Sequence, residues 1–521
     1  SSAASDVYKR QVYTSTEARG SQVSDKSIKL NRDLDKMLAQ AIERDLLVRI
    51  GWGREGDEKP KNGEIGALSM LPENSRSLLL GELGEGAGLL NRGGTATIQG
   101  TVSSIAGGWM SSGRLVIEKD AGSRTGFCMS GGSIVVHGSV GNFGGSNMSG
   151  GTLLIRGDAG SNLGSSMVGG TIILMGSADF GLGSHMTGGV IVVCGNHHHF
   201  DDSEMKYGQI TDVPQEALDL ALSLGIEIPS GATVLVKAVD PPKDKLPILE
   251  RGHNFAGIGI IASGTGRNDP HISPDISVTI KSRREEGREI LLPRPWMEIQ
   301  ETSTKNGASI VLTDPKPEDL LIIGSHNIGE LGRGSLNCLG FVLDIDSLPT
   351  LNDAEVEAVI VSIRSRMAPG SLVILSDRVD RVDELARRSK ELELDGILVD
   401  AISLDSAGPT VALPRIGMAN KKHRISENGG FVLIRLDGKA SPKRLIIAKS
   451  AGIDAVVSPE LDGSELDFDS RLRGILREMG LSSISSTNRS NIRALDHNIA
   501  MQTGLRPVSY THLRAHETCL D

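Results

Sequence analysis

The chain is poor in aromatic residues. Phe, Tyr and Trp make up 3% of its 521 residues, so its cores must rest on Ile, Leu, Val and Met. Cysteine is scarce as well. There are four, at Cys128, Cys194, Cys338 and Cys519, without paired spacing, and such usage argues for a reducing, cytoplasmic setting. Positive charge is in deficit. The formal net charge of −10 argues against a nucleic-acid binder. No apolar run approaches the roughly 20 residues needed to cross a bilayer, and no signal-peptide pattern is visible.

Glycine is what the chain has in excess, with 64 residues. Of these, 27 lie between residues 92 and 195, so the excess belongs to one segment and does not signal disorder. That segment repeats. Met110, Met129, Met148, Met167 and Met186 are each nineteen residues apart. A small pair follows each Met: Ser112-Gly113, Gly131-Gly132, Gly150-Gly151, Gly169-Gly170 and Gly188-Gly189. A short apolar run comes next, at 115–117, 134–136, 153–155, 172–174 and 190–193. Gly138, Gly157, Gly176 and Gly195 close the later runs, and Lys119 holds that place in the first.

Each unit has one strand-sized run and no helix-length segment, which predicts a β-helix in which every coil stacks on the one before. The glycines suit corners, because Gly takes positive φ without steric cost. Identical positions on successive coils lie about 4.8 Å apart, so the methionines can fill one internal column. A metal site in that column would need His or Cys at a repeated position. Cys128, His137, His185 and Cys194 are scattered over different ones.

Residues 1–11 (SSAASDVYKRQ) and 508–521 (opening VSYTHLRAHET) read like translations of the two arms of a transposon-type sequencing adaptor. Both are expected to be assembly artefacts and carry no functional weight. Residues 12–90 are expected to form an N-terminal helix and a cap for the solenoid. Within them, 12–28 reads as polar and irregular. The stripe Leu34, Met37, Leu38, Ala41 and Ile42 predicts an amphipathic helix with Asn31 as its N-cap. The solenoid and an exit helix at 215–224 fill 91–239, and Asp240-Pro241-Pro242 opens a linker over 240–308. In that linker the run GIGIIASGTG (257–266) invites a phosphate-loop reading. Asn268-Asp269-Pro270 follows where a helix should begin, so a loop or turn is predicted. After the solenoid, His197-His198-His199-Phe200-Asp201-Asp202 is either a metal site using His197, His199 and Asp201 or an exposed loop.

From residue 309 strands and helices alternate. Strand candidates lie at 309–312, 320–323, 340–344, 372–375, 396–399, 432–436 and 455–457, and helix candidates at 353–366, 382–391, 443–451 and 471–479. Asn352 and Glu355 have capping-box spacing. The pattern predicts a divergent TIM-type (β/α) barrel over 309–507.

The repeat, GG then an apolar run then G-x-x-G, resembles the GXGXG β-helix domain, a single-stranded right-handed solenoid. Two families carry it: the large subunit of glutamate synthase and one of the subunits of formylmethanofuran dehydrogenase. The second half resembles glutamate synthase too. Asp395-Gly396-Ile397-Leu398-Val399 followed by Gly408-Pro409 looks like the strand leading into its D-G-G-T-G-A phosphate loop. Residues 432–438 and 441–455 look like its next flavin-phosphate segment, and 472–483 and 495–504 like its C-terminal tail. There are departures. Leu404, Asp405 and Ser406 replace the glycine-threonine core, and Lys439-Ala440-Ser441 stand where glycines are expected. No Cys lies between Cys338 and Cys519, where iron–sulfur ligands should follow. The N-terminal nucleophilic Cys and amidotransferase domain are absent, and the solenoid precedes the barrel where in the bacterial enzyme it follows.

The resemblance implies an FMN cofactor and, given those departures, no iron–sulfur cluster. Its phosphate would fall to Arg435, Asp437, Gly438 and Lys439, with Asp405, Ser406 and Gly408 on the neighbouring loop. The implied function is flavin-type reductive amination of a 2-oxo acid, or a degenerate component of such a system. The alternative is a non-catalytic scaffold, resembling the GXGXG-bearing part of formylmethanofuran dehydrogenase, in a larger oxidoreductase complex. Both imply protein partners in an assembly of several subunits, and neither implies nucleic acid or membrane.

Overall fold

A computed structural model describes residues 16–51, 63–197, 205–238, 255, 258–262, 273–284, 287–303, 308–332, 336–402, 409–495, 497–508 and 518–520. The chain divides into two compact units. The first takes Ser1–Leu246, Ile328–Gly332 and Leu351–Arg366, and the second takes the rest.

In the first unit, helix α1 (Ser21–Glu43) precedes a ten-stranded sheet. Its strands are β1 (Val48–Ile50), β2 (Arg76–Leu79), β3 (Arg92–Ile98), β4 (Ser112–Ile117), β5 (Ser130–Val136), β6 (Ser149–Ile155), β7 (Gly169–Leu174), β8 (Val190–Val193), β9 (Met205–Tyr207) and β10 (Thr233–Ala238). From β1 to β8 the pairing is parallel and follows the chain. Ile98, Ile117, Val136, Ile155, Leu174 and Val193 stand side by side in register. β10 then runs antiparallel between β8 and β9, with helix α2 (Gln215–Ser223) before it. A second column of parallel bridges joins Leu83, Val102, Ala121, Val140, Ala159 and Ala178. The repeat length in the sequence is therefore the register of the sheet.

The five repeat methionines are fully buried, as expected for core packing. A polar ladder runs along the same stack. The Asp120 carboxylate accepts from Ser139 N–H at 2.8 Å, the Ser139 hydroxyl from Asp158 N–H at 3.1 Å, and the Asp158 carboxylate from Ser177 N–H at 2.7 Å. Positive φ in the repeat does not belong to glycine alone. Ile105, Arg124, Phe143 and Asn162, and likewise Trp109, Cys128, Asn147, Ser166 and His185, take positive φ at the same nineteen-residue interval. Packing between neighbouring repeats of the sheet holds side-chain-bearing residues in a conformation that costs them energy elsewhere.

Two expectations are corrected in this unit. α1 begins at Ser21, inside the stretch read as irregular, and Asn31 is not its cap. Asn31 sits mid-helix and fully buried, donating to Gly66 C=O at 2.8 Å and accepting from Leu68 N–H at 3.2 Å. Ser24, Ser27 and Asn31 lie on the buried face, and hydrophobic periodicity cannot register a polar buried stripe. The second correction concerns helix α3 (Asp353–Arg364), which was expected in the barrel and belongs to the first unit. Its capping box forms as predicted. Glu355 pairs with Arg124, Glu357 accepts from Gly20 N–H at 3.1 Å and from Ser24, and Arg366 pairs with Asp35. A Cβ on Gly66 would lie 2.5 Å from the Ser362 hydroxyl, and one on Gly86 2.9 Å from Ala358 Cβ. Only glycine lets α3 approach this closely.

The second unit opens with β11 (Ile258–Ala262) and the antiparallel hairpin β12 (Val278–Lys281) and β13 (Glu289–Leu292). Eight parallel strands then close a barrel. They begin with β14 (Trp296–Gln300), β15 (Ile310–Val311), β16 (Leu320–Ile323), β17 (Gly340–Asp344), β18 (Leu372–Arg378), β19 (Gly396–Asp400) and β20 (Phe431–Arg435). The short β21 (Lys439–Ala440) intervenes before the eighth, β22 (Ala455–Ser458), which pairs with both β20 and β14. Helices α4 (Val382–Glu391), α5 (Pro409–His423), α6 (Pro442–Ser450) and α7 (Glu465–Glu478) follow β18, β19, β20 and β22. The two-residue β23 (Glu460–Leu461) pairs with β21. β24 (Ile492–Ala494) and β25 (Thr518–Leu520) flank β11, with α8 (His497–Thr503) between them in the chain. Met297, Ile322, Val342, Ile374, Leu398 and Leu433 pack in the barrel core, joined by Ile280, Ile290 and Leu292 of the hairpin.

Residues 240–308, read as linker, thus contain the first barrel strand. Pro293 and Pro295 disguise it, yet Met297 and Ile299 alternate inward as a strand requires. The loop or turn predicted over 257–266 is strand β11 at Ile258–Ala262, with Ile258 and Ile260 buried. Among the described residues no helix is long and apolar enough to cross a membrane.

Candidate functional site

Barrels of this kind carry chemistry at the C-terminal ends of their strands and stability at the N-terminal ends. The N-terminal end here is held by carboxylates that touch main chain, with Asp319 and Asp395 fully buried and Asp454 partly so. Asp395 accepts from the Ser282 hydroxyl at 2.6 Å, Arg283 N–H at 3.0 Å and Val373 N–H at 2.8 Å. Asp319 accepts from Ser309 N–H at 3.1 Å, and Asp454 from Val432 N–H at 2.9 Å. Each ties its own strand to a neighbour. A Cβ on Gly396 would lie 2.4 Å from the Phe431 ring. The Asp395-Gly396 pair is therefore explained by packing at the strand's start.

The C-terminal end is different. β17, β19 and β20 each end on a charged residue: Asp344, Asp400 and Arg435. β18 ends on Asp377-Arg378. Asp400 and Arg435 are register partners on adjacent strands and pair at 3.5 Å. Arg378 approaches Asp346 at 3.0 Å, and Arg381 stands 3.9 Å from Asp377. Burial pushes the Asp344 carboxyl up to about 6, aided by the negative Asp400 and Asp346 and opposed by the Ser347 hydroxyl and Arg435. Burial also raises Asp377 above the usual carboxylate range. His326, just beyond β16, is held below the ordinary imidazole value by partial desolvation and then by Arg435. The Asp344 carboxyl therefore changes charge at about pH 6, a range useful for acid–base chemistry, while His326 is shifted toward its neutral form. The sequence reading missed both. The signal available was three apolar runs each followed by Asp: FVLD, LVILSD and GILVD.

Among the residues expected to hold FMN, Arg435 is at this mouth. Asp437 and Gly438 form the exposed turn just after β20, and exposed Lys439 follows as the first residue of β21. Gly438 has φ of 66° and nothing within 4 Å of a Cβ placed on it. Lys439 pairs with Glu460 at 3.2 Å. Arg444, whose guanidinium burial holds below its ordinary pKa, donates to the carbonyls of Asp437 at 2.9 Å and Lys439 at 2.7 Å. Asp405, Ser406 and Gly408 lie outside the described residues. The described turn does not fit a phosphate dianion. Arg435, Lys439 and Arg444 are each already met by a carboxylate or by carbonyls, and the carboxylate of Asp437 accepts from Gly438 N–H at 2.8 Å, the donor a phosphate would need.

Of the metal candidates, His197 is described, and its Nε2 lies 2.9 Å from the Thr233 hydroxyl. His199 and Asp201 lie outside the described residues. Among the described residues no group of three or more His, Cys, Asp or Glu could hold a metal ion.

No protein-family model matches the chain, and no curated protein matches it. Among solved structures it is similar to an IMP dehydrogenase/GMP reductase-like protein from Corynebacterium glutamicum ATCC 13032 Kitasato. The identity is 11%, over 47% of this chain and 95% of that one, with a TM-score of 0.23. The barrel assignment rests on the strand pairing described above and not on this likeness.

Proposed function

We propose that the chain is a glutamate-synthase-like protein that works as a flavin-free component of an oxidoreductase complex. Its first unit is read as a GXGXG β-helix, wound as a single-stranded right-handed solenoid, and its second as a barrel descended from a flavin-binding one. The nineteen-residue register and the second column of bridges support the solenoid reading. One observation carries the flavin-free reading: the Lys439 ammonium, in the expected phosphate turn, is taken by Glu460 at 3.2 Å. Titration of the purified protein with FMN tests it, because a flavin-free barrel leaves the cofactor unbound. Pull-down of the tagged protein from its source tests the complex, because a component of one brings its partners with it in fixed ratio.

A second reading is an active, FMN-dependent barrel that aminates a 2-oxo acid. The open space at Gly438 favours it, since main chain there can approach an anion closely. In that case Arg435 would leave Asp400 and Gly438 N–H would leave the Asp437 carboxylate to hold the phosphate.

A further inference from the structure

Helix α5 breaks two rules of helix composition on one face. Pro414 lies inside it, where it removes a helix hydrogen bond. Gly417, one turn on, lowers helix stability relative to any residue with a side chain. Both line the same cavity, of about 580 Å³, which α5 forms with the end of α6 and the segment around α8. That volume is in the range of small-molecule sites, roughly 300–1,000 Å³. Gly417 is what keeps it open. A Cβ there would find its nearest neighbour, the Ala451 carbonyl, at 3.9 Å, so no packing constraint demands glycine. Local rules are most often broken where function needs it.

The lining names the ligand class. Leu413, Ile492 and Leu505 supply buried apolar walls, and Met418 is an exposed, adaptable side chain at the edge. Two cations border it. Arg489 donates to the carbonyls of Thr503 at 3.1 Å and Gly504 at 2.9 Å, which fixes the floor. Lys421 is exposed and makes no ion pair with any described residue. The geometry points to a binding site for an amphipathic anion, with its apolar body between α5 and the segment before residue 505 and its charged head on Lys421. This site stands apart from the barrel mouth and does not depend on the reading of that mouth.

The probe is 1-anilinonaphthalene-8-sulfonate, an apolar ring system with one anionic group, followed by its fluorescence on the full chain, with decanoate as competitor. The expected result is saturable binding that decanoate displaces. Gly417→Leu fills the cavity and abolishes binding, while the melting temperature does not fall. Lys421→Glu, an exposed change that leaves the fold alone, weakens binding by about fivefold, the scale of one exposed ion pair. Binding that survives both substitutions, or no saturable binding by the parent protein, overturns the site. If Gly417→Leu lowers the melting temperature, Lys421→Glu alone decides.

Discussion

The Lys439 ammonium stands 3.2 Å from the Glu460 carboxylate, and the two side chains are equally exposed, at 56% each. Such a pair contributes at most about 1 kcal/mol to stability, but it decides the charge of the turn. Glu460→Gln should change unfolding stability by less than about 1 kcal/mol while increasing affinity for inorganic phosphate. Equal phosphate affinity in parent and variant would show that Glu460 does not neutralise Lys439.

Asp344 should make stability depend on pH in a definite direction. Its folded pKa of about 6 lies above the roughly 3.9 of an unfolded Asp. A carboxyl raised on folding favours the folded state when protonated. That contribution is complete below about pH 4 and is lost as pH rises through about 6. Asp344→Asn cannot ionise. Denaturant midpoints of variant and parent should therefore be close at about pH 4, and the variant should pull ahead by about pH 7. A difference that stays flat across that range would mean Asp344 is not desolvated as described.

The methionine column should behave as packed core. Met148 is fully buried, so Met148→Ala should cost about 2–5 kcal/mol. Met148→Leu should cost less than about 1.5 kcal/mol. Chemical denaturation separates the two, and a cost near zero for the alanine variant would contradict the internal stack.

The repeat was legible because nineteen residues of sequence became one step of sheet register. The barrel's strands were legible wherever apolar runs stood between turn residues. Other features were hidden for physical reasons. α5 went unread because Pro414 and Gly417 interrupt its pattern. Asn31 was mistaken for a cap because its buried partners, Gly66 and Leu68, come from thirty-odd residues away. The destination of α3 could not be read, although ten of its twelve residues, Glu355 and Glu357 included, are buried. Burial nearly all round says that a helix is covered, not by what.

That placement of α3 has its own consequence. A fragment of residues 16–246 should lack a native core, because Asn31 and Gly66 lose Ser365 and Ser362, and Asp35 loses Arg366. Near-ultraviolet circular dichroism would report weak tertiary signal, and adding a peptide of residues 351–366 should restore it. A fragment that folds natively alone would contradict the assignment.

The central claim is that this barrel has exchanged its phosphate turn for protein ion pairs. The most direct measurement is the visible spectrum of the purified protein, alone and titrated with FMN, alongside Lys439→Ala. The account predicts a colourless protein, free FMN throughout, and no difference between parent and variant. A bound-flavin spectrum that weakens in Lys439→Ala would contradict it and restore the flavin-dependent reading.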